Sequence, residues 1–317
     1  MNHWAPRIAL AATAAAAVAV LLVYARGLEA PFVVPKFTAL EIAASFGLLV
    51  FVVRRRTAGG SRWARPVTVC AWLVLTTTAA SWVASQARPE GAPYALEALA
   101  RWAALFGLAC GASLLEDAKD QRRWLVDAIS VSAAGVAAIG LLQHFDVLPA
   151  AMIPIISVPG STFGNRNLAA EIMAMALPFG LASVLGPRRG STVFMGVATL
   201  LELVFLAVTR TRGSWIAAAC GLGALLVIVI VRQRVSRFVV LLSLGGIVLA
   251  GVVVALPARV NTRDTGDTKR YSSVLTVIEE GFDGRSPALR TRLGLWSRSL
   301  KLIHDHPLLG VGPDASG

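Results

Sequence analysis

Nine runs of about twenty mostly apolar residues follow one another in the first 256 positions, near 7–25, 33–53, 66–85, 96–115, 124–143, 167–186, 190–209, 213–231 and 237–256. A helix rises ~1.5 Å per residue, so about 20 residues cross the ~30 Å hydrocarbon core of a bilayer. A chain that is 56% hydrophobic and only 15% charged is neither disordered nor a water-soluble globule. The expected fold is an all-α polytopic membrane bundle. The fourth run is the weakest because it carries Glu97 and Arg101, which stand four apart and can pair across one helical turn. Pro178 in the sixth predicts a kink rather than an end. The first run also has the charged start and apolar middle of a secretory signal, but a second run begins within a few residues, and we read it as a retained span.

Thirty Lys and Arg against eighteen Asp and Glu leave the chain at +12. A nucleic-acid binder gathers such charge on one soluble face, whereas here it sits in short clusters between apolar runs. With a cytoplasmic N-terminus, 14 cations fall in inside loops (Arg54–Arg56 among them), 7 in outside loops and their edges, and 9 after residue 256. That is the positive-inside bias, and nine spans then put residues 257–317 on the periplasmic face. Cys70, Cys110 and Cys220 lie in apolar runs without CxxC spacing, so they read as buried small hydrophobes rather than metal ligands.

The expected division is a membrane domain over 1–256 and the start of a large periplasmic loop over 257–317. Asn261–Tyr271 (NTRDTGDTKRY) has no apolar period and reads as a surface loop. Ser286 can cap a helix whose first residue is Pro287. In that helix, over 287–303, Leu289, Leu293, Trp296, Leu300 and Ile303 form an apolar stripe, with Arg290, Arg292, Arg298 and Lys301 on other faces. Such a basic amphipathic helix is expected to lie on the membrane surface. After the turn Gly310–Pro313 no element closes the fold, so the chain is expected to be the N-terminal part of a longer protein.

Charges near lipid are costly and tend to face cavities or interfaces. Arg210 and Arg212 occupy the very short outer turn TRTRGSW, where the positive-inside bias disfavours cations. They read either as arginines snorkelling to head groups or as an anion site, in which the planar guanidinium matches phosphate oxygens and Gly213 permits close approach. In VPGSTFGNRNLAAEIMA, Gly160 and Gly164 allow left-handed turns and Asn167 is placed to cap the following helix. Asn165, Arg166 and Asn167 offer groups suited to sugar hydroxyls or phosphates, and Glu171 one turn deeper reads as an ion-pair partner before it reads as a base. Glu41 and Glu202 within spans are assigned to inter-helix hydrogen bonds. His144 reads as an interfacial histidine, with general-base chemistry as its sharper alternative. His304-Asp305-His306 lacks an evident third ligand for a metal.

FGNRNLAA at the start of one span, TRGSW opening another, and RTRLGLW followed by HDHPLLGVGP together resemble the O-antigen ligase and O-antigen polymerase superfamily, in that order and spacing. The likeness runs from about Pro159 to Pro313. It implies a GT-C-like membrane glycosyltransferase of the bacterial inner membrane that uses no nucleotide sugar, no cofactor and no metal. Its donor is a glycan on undecaprenyl diphosphate, and its acceptor is a hydroxyl of lipid A core or similar. Matched residue by residue, the resemblance places the two diphosphate-holding arginines at Arg212 and Arg292, with Arg210 and Arg290 as neighbours able to share the role. The base would be a histidine after the Gly-x-Gly turn, beyond Gly317. Trp296, one turn from Arg292, is placed to orient it on the loop helix. Direct displacement would invert the anomeric centre. Polymerase and protein O-oligosaccharyltransferase share these motifs. A transporter of the same lipid is the alternative of another class, though the sequence shows no obvious inverted repeat.

Overall fold

The computed structural model describes residues 4–25, 31–57, 64–85, 92–113, 119–145, 147–148, 153, 159–185, 192–231 and 287–307. Its elements are α1 (Trp4–Leu22), α2 (Val34–Thr57), α3 (Ala64–Ser85), α4 (Ala92–Ser113), α5 (Lys119–His144), a 3-10 turn Ser161–Phe163, α6 (Arg166–Val184), α7 (Thr192–Thr209), α8 (Arg212–Val231) and α9 (Pro287–Asp305). A helix covers each of the first eight apolar runs. Among the described residues, four stretches are long and apolar enough to cross a membrane: Arg122–His144, Arg166–Val184, Thr192–Thr209 and Arg212–Val229. The protein is therefore a helical membrane protein. The ninth run, the surface loop Asn261–Tyr271 and the Ser286 cap lie outside the described residues.

The chain divides into two compact units, one of Met1–Ala16, Phe37–Arg122 and Asp283–Gly317, the other of Ala17–Lys36 and Arg123–Phe282. In the first, α3 packs on α4, with Trp72 and Phe106 rings 5.0 Å apart. The backbones of α2 and α4 approach so closely that a Cβ on Gly107 would stand 2.8 Å from the Ala44 carbonyl oxygen. Arg101 lies over the Phe37 ring at 4.5 Å, a cation–π contact that steadies the charge on α4. The side chain of Glu97, its expected partner, lies outside the described residues.

The second unit is built around α6, which packs on both α7 and α8. Its buried face is mostly alanine, with Ala169, Ala170, Ala174 and Ala176 beside Met173 and Leu177, and α5 adds Ala133, Val136 and Ala137. Lipid tails are as apolar as leucine, so helices gain from association mainly where small residues let backbones close in. Pro178 does not end α6, and its ring stands 3.1 Å from where a Cβ on Gly221 of α8 would be.

Gly140 of α5 admits the wholly buried Phe205 ring of α7, whose edge occupies the space a Cβ would need. Alanine there gains about 1 kcal/mol of helix propensity. Displacing a buried ring costs typically 1–3 kcal/mol, and the clash wins. Gly140→Ala is expected to lower unfolding stability in bilayers, and Phe205→Leu in the same background to recover part of the loss. Equal stability of Gly140→Ala and wild type would show that the ring moves aside freely.

Cys110 is buried as expected, whereas Cys220 is exposed on α8, a helix with little of its surface covered by the rest of the unit. Glu202 is fully buried on α7, yet neither carboxylate oxygen has a hydrogen-bond partner among the described residues. The inter-helix hydrogen bond expected of it is not found among the described residues, and a Cβ on Gly180 of α6 would stand 3.4 Å from its Oε2. Glu41 is exposed on α2. On α9 four members of the expected stripe, Leu293, Trp296, Leu300 and Ile303, are exposed, and the Leu289 side chain lies outside the described residues.

Candidate functional site

Gly160, Gly164, Asn165, Arg166, Asn167, Arg210 and Arg212 gather at one end of the second unit, where the start of α6 meets the turn between α7 and α8. Gly164 has φ +66, a left-handed turn, and the Phe32 ring fills the space its Cβ would take. Gly160 is right-handed at φ −88. Its requirement is proximity, since a side chain would run into the Gly164 backbone. Between them the turn Ser161–Phe163 is tied down on two sides. The Ser161 N–H donates to Gln143 Oε1 at 2.7 Å and its hydroxyl to the Val136 carbonyl at 2.6 Å, both on α5. Thr162 donates its hydroxyl to the Leu21 carbonyl in the last turn of α1.

Asn165, rather than Asn167, caps α6. Its backbone is extended (φ −126, ψ 123) and its Oδ1 accepts from the Asn167 N–H at 2.9 Å, because the chain turns into the helix at Arg166, two residues before a cap at Asn167 would have it. Asn167 is thereby free for another task. Its Oδ1 accepts the Thr211 hydroxyl at 3.2 Å, joining the start of α6 to the turn between α7 and α8.

That turn is only Arg210 and Thr211. Arg210 is left-handed at φ 55, and its N–H bonds the Ala207 carbonyl at 3.3 Å, closing α7. A non-glycine residue held there is strained, a state that persists where the surroundings over-determine it. Thr209 donates to Leu206 O at 2.7 Å, and the Trp215 indole donates to the same carbonyl at 3.0 Å. The chain therefore reverses from α7 into α8 with the start of α8 pinned to the end of α7.

Two helix N-termini thus stand side by side, and each begins with arginine: Arg166 in α6 and Arg212 in α8. Neither first turn holds an acidic residue. A helix N-terminus carries roughly half a positive charge, and an arginine there adds to a field that favours an anion. Both side chains are half-buried, and a Cβ on Gly213 would meet nothing within 4 Å, so space is open beside the first turn of α8. Ser214 in the same turn is buried, with its hydroxyl unbonded among the described residues.

Glu171 lies on an exposed face of α6 with no ion-pair partner among the described residues, because its side chain turns away from the buried α6 face. His144 ends α5 and meets the Phe145 ring edge-on at 5.1 Å. His304 and Asp305 stand 3.4 Å apart, and among the described residues no cluster of three metal-ligating side chains occurs. Arg290, Arg292 and Trp296 lie on α9, in the other unit, and the first two side chains lie outside the described residues. Gln143, Ser161, Thr162 and Thr211 were missed from sequence, since each acts on a residue or helix distant in the chain. Lys36 is one of the seven cations counted in the outside loops and their edges, and the sequence gives it no further role.

Residues 197–317 match a family model described as O-antigen ligase (Wzy_C). The match supports the O-antigen ligase and polymerase superfamily. The matched segment holds most of α7, the Arg210–Arg212 turn, α8 and α9, while the Asn165–Asn167 loop precedes it. An uncharacterised protein of Haemophilus influenzae is 22% identical over 152 residues, covering 47% of this chain and 36% of that protein. The chain thus aligns with about a third of the length of that relative. No solved structure matches.

Proposed function

We propose that this protein transfers a glycan from undecaprenyl diphosphate to an acceptor hydroxyl of lipid A core or a similar glycan, as an O-antigen ligase on the periplasmic face of the inner membrane. The observation that carries the reading is the pair of adjoining helix N-termini, each opened by arginine and joined by the Asn167–Thr211 hydrogen bond. A diphosphate is the ligand such a pair favours, through guanidinium forks and N–H groups together. The O-antigen ligase family match over the second of these helices supports it.

In this mechanism Arg212 and Arg292 neutralise the charge that grows on the leaving diphosphate, with Arg210 and Arg290 as neighbours able to share the load. Asn165, Arg166 and Asn167 line the donor side. Displacement by the acceptor oxygen inverts the anomeric carbon, and its proton passes to a base. Trp296 anchors α9 in the membrane surface so that Arg292, one turn away, keeps a fixed direction.

The test is transfer by the full-length protein in vesicles given carrier-linked glycan and lipid A core. Release of the carrier diphosphate coupled to glycan on lipid A is the expected result. Elongated carrier-linked glycan without lipid A product would reassign the protein to the polymerases, and no release from any acceptor would reject glycan transfer.

The proposed topology puts residues 54–65 in the cytoplasm and 257–317 in the periplasm. A phosphatase reporter fused after Leu256 should be active, and a fusion after Thr57 inactive. Activity in the reverse pattern would place the arginine turn on the wrong face for this donor.

A further inference from the structure

We propose that Lys36 is a positioning residue: it holds the Ser161–Asn167 loop in place and, through it, the joined N-termini of α6 and α8. The geometry stands by itself, and only its use in donor binding rests on the function proposed above. Lys36 is the third residue of α2 and is 7% exposed. Its ammonium donates to the Val20 carbonyl at 2.7 Å and the Leu21 carbonyl at 3.2 Å. Both belong to the last turn of α1, where carbonyls have no partner within the helix. The same ammonium lies 4.1 Å from the centre of the Phe163 ring. The Leu21 carbonyl also accepts from Thr162, so lysine and turn converge on one oxygen.

A lysine at a membrane boundary commonly extends to water or to an anionic head group. This one is turned inward, with two backbone carbonyls and an aromatic face around it, which makes it a poor grip for a substrate phosphate and a good clamp. Its position explains how a turn with Ser161 at φ 49 keeps that conformation beside Gly164. The clamp holds the turn on its α1 side while Gln143 and Val136 hold it on its α5 side. Asn165 follows the turn directly, and Asn167 carries the alignment on to Thr211.

Amide hydrogen exchange of the full-length protein in lipid nanodiscs tests this independently of activity. In Lys36→Met, residues 161–167 should exchange at least about tenfold faster while residues 169–184 of α6 stay protected, because the loop opens without the helix. Lys36→Arg, which keeps the charge and donors, should restore part of the protection. In transfer assays Lys36→Met should raise KM for the carrier-linked glycan more than it lowers kcat. Unchanged exchange over 161–167 in an inserted Lys36→Met protein would overturn the proposal whatever happens to transfer. Acceleration confined to residues 19–25 would also overturn it, leaving Lys36 as a cap for α1 alone. Should Lys36→Met fail to insert, Phe163→Leu removes the ring and leaves the carbonyl bonds. It should then speed exchange over 161–167 several-fold, and an unchanged rate would overturn the proposal. Faster exchange in Lys36→Met beside a wild-type protein that transfers no glycan would support the clamp and reject the transferase reading.

Discussion

Arg212→Ala is expected to cut glycan transfer by about 10²–10³-fold, the size of effect found when one preorganised donor to a developing anion is removed, roughly 3–4 kcal/mol. The residue opens α8, half-buried, with Gly213 and open space beside it, so the guanidinium adds to the N–H groups of the first turn rather than acting alone. Lysine keeps the charge but loses the planar fork, and Arg212→Lys should regain only a small part of the rate. Arg292→Ala should show a loss of the same order if both arginines hold the diphosphate. The readout is carrier diphosphate released per unit time by full-length protein at equal membrane insertion. Wild-type transfer by Arg212→Ala would reduce this turn to a lipid anchor and remove the main support for the site.

Gly164→Ala should be nearly as damaging, by a different route. The left-handed conformation costs an L-residue roughly 1–2 kcal/mol. The added methyl must also displace the buried Phe32 ring, typically 1–3 kcal/mol more. The loop cannot relieve both, because Ser161 and Thr162 are bonded to α5 and α1 on one side and Asn165 caps α6 on the other. Transfer is expected to fall by ten- to a hundredfold, with a lower unfolding temperature in nanodiscs. Phe32→Leu added to Gly164→Ala should recover some stability by making room, while the backbone cost remains. An active and fully stable Gly164→Ala protein would mean that the loop tolerates another shape, and the fixed geometry argued for Asn165 and Asn167 would fall with it.

Much of the local structure was legible in the residues. Apolar runs of span length became helices over the first eight, because a chain in lipid must bond its own backbone. Pro287 marked the start of α9, and the spacing of its apolar residues gave the stripe that the structure leaves uncovered. The short TRTRGSW turn and the NRN segment stood out as polar text at helix ends. The cap was misplaced from Asn165 to Asn167, since both residue types cap equally well and the choice depends on where the chain bends into the helix.

Sequence by itself determined that this is a multi-span helical protein with arginines at the starts of two spans, because hydropathy and charge are local properties and lipid turns them directly into helices and their ends. Tertiary structure alone decided which of those ends meet. Lys36 bonds carbonyls 15 and 16 residues back, Asn167 meets Thr211 across 44 residues, and Thr162 meets Leu21 across 141. Packing also decided that Glu202 lies buried against a glycine while Glu41 faces outward, although both read as carboxylates within apolar runs. The physical reason is that helix formation satisfies the backbone within one segment, whereas loop geometry here depends on leftover donors and acceptors at helix ends, whose partners are set by how closely small residues let the helices pack.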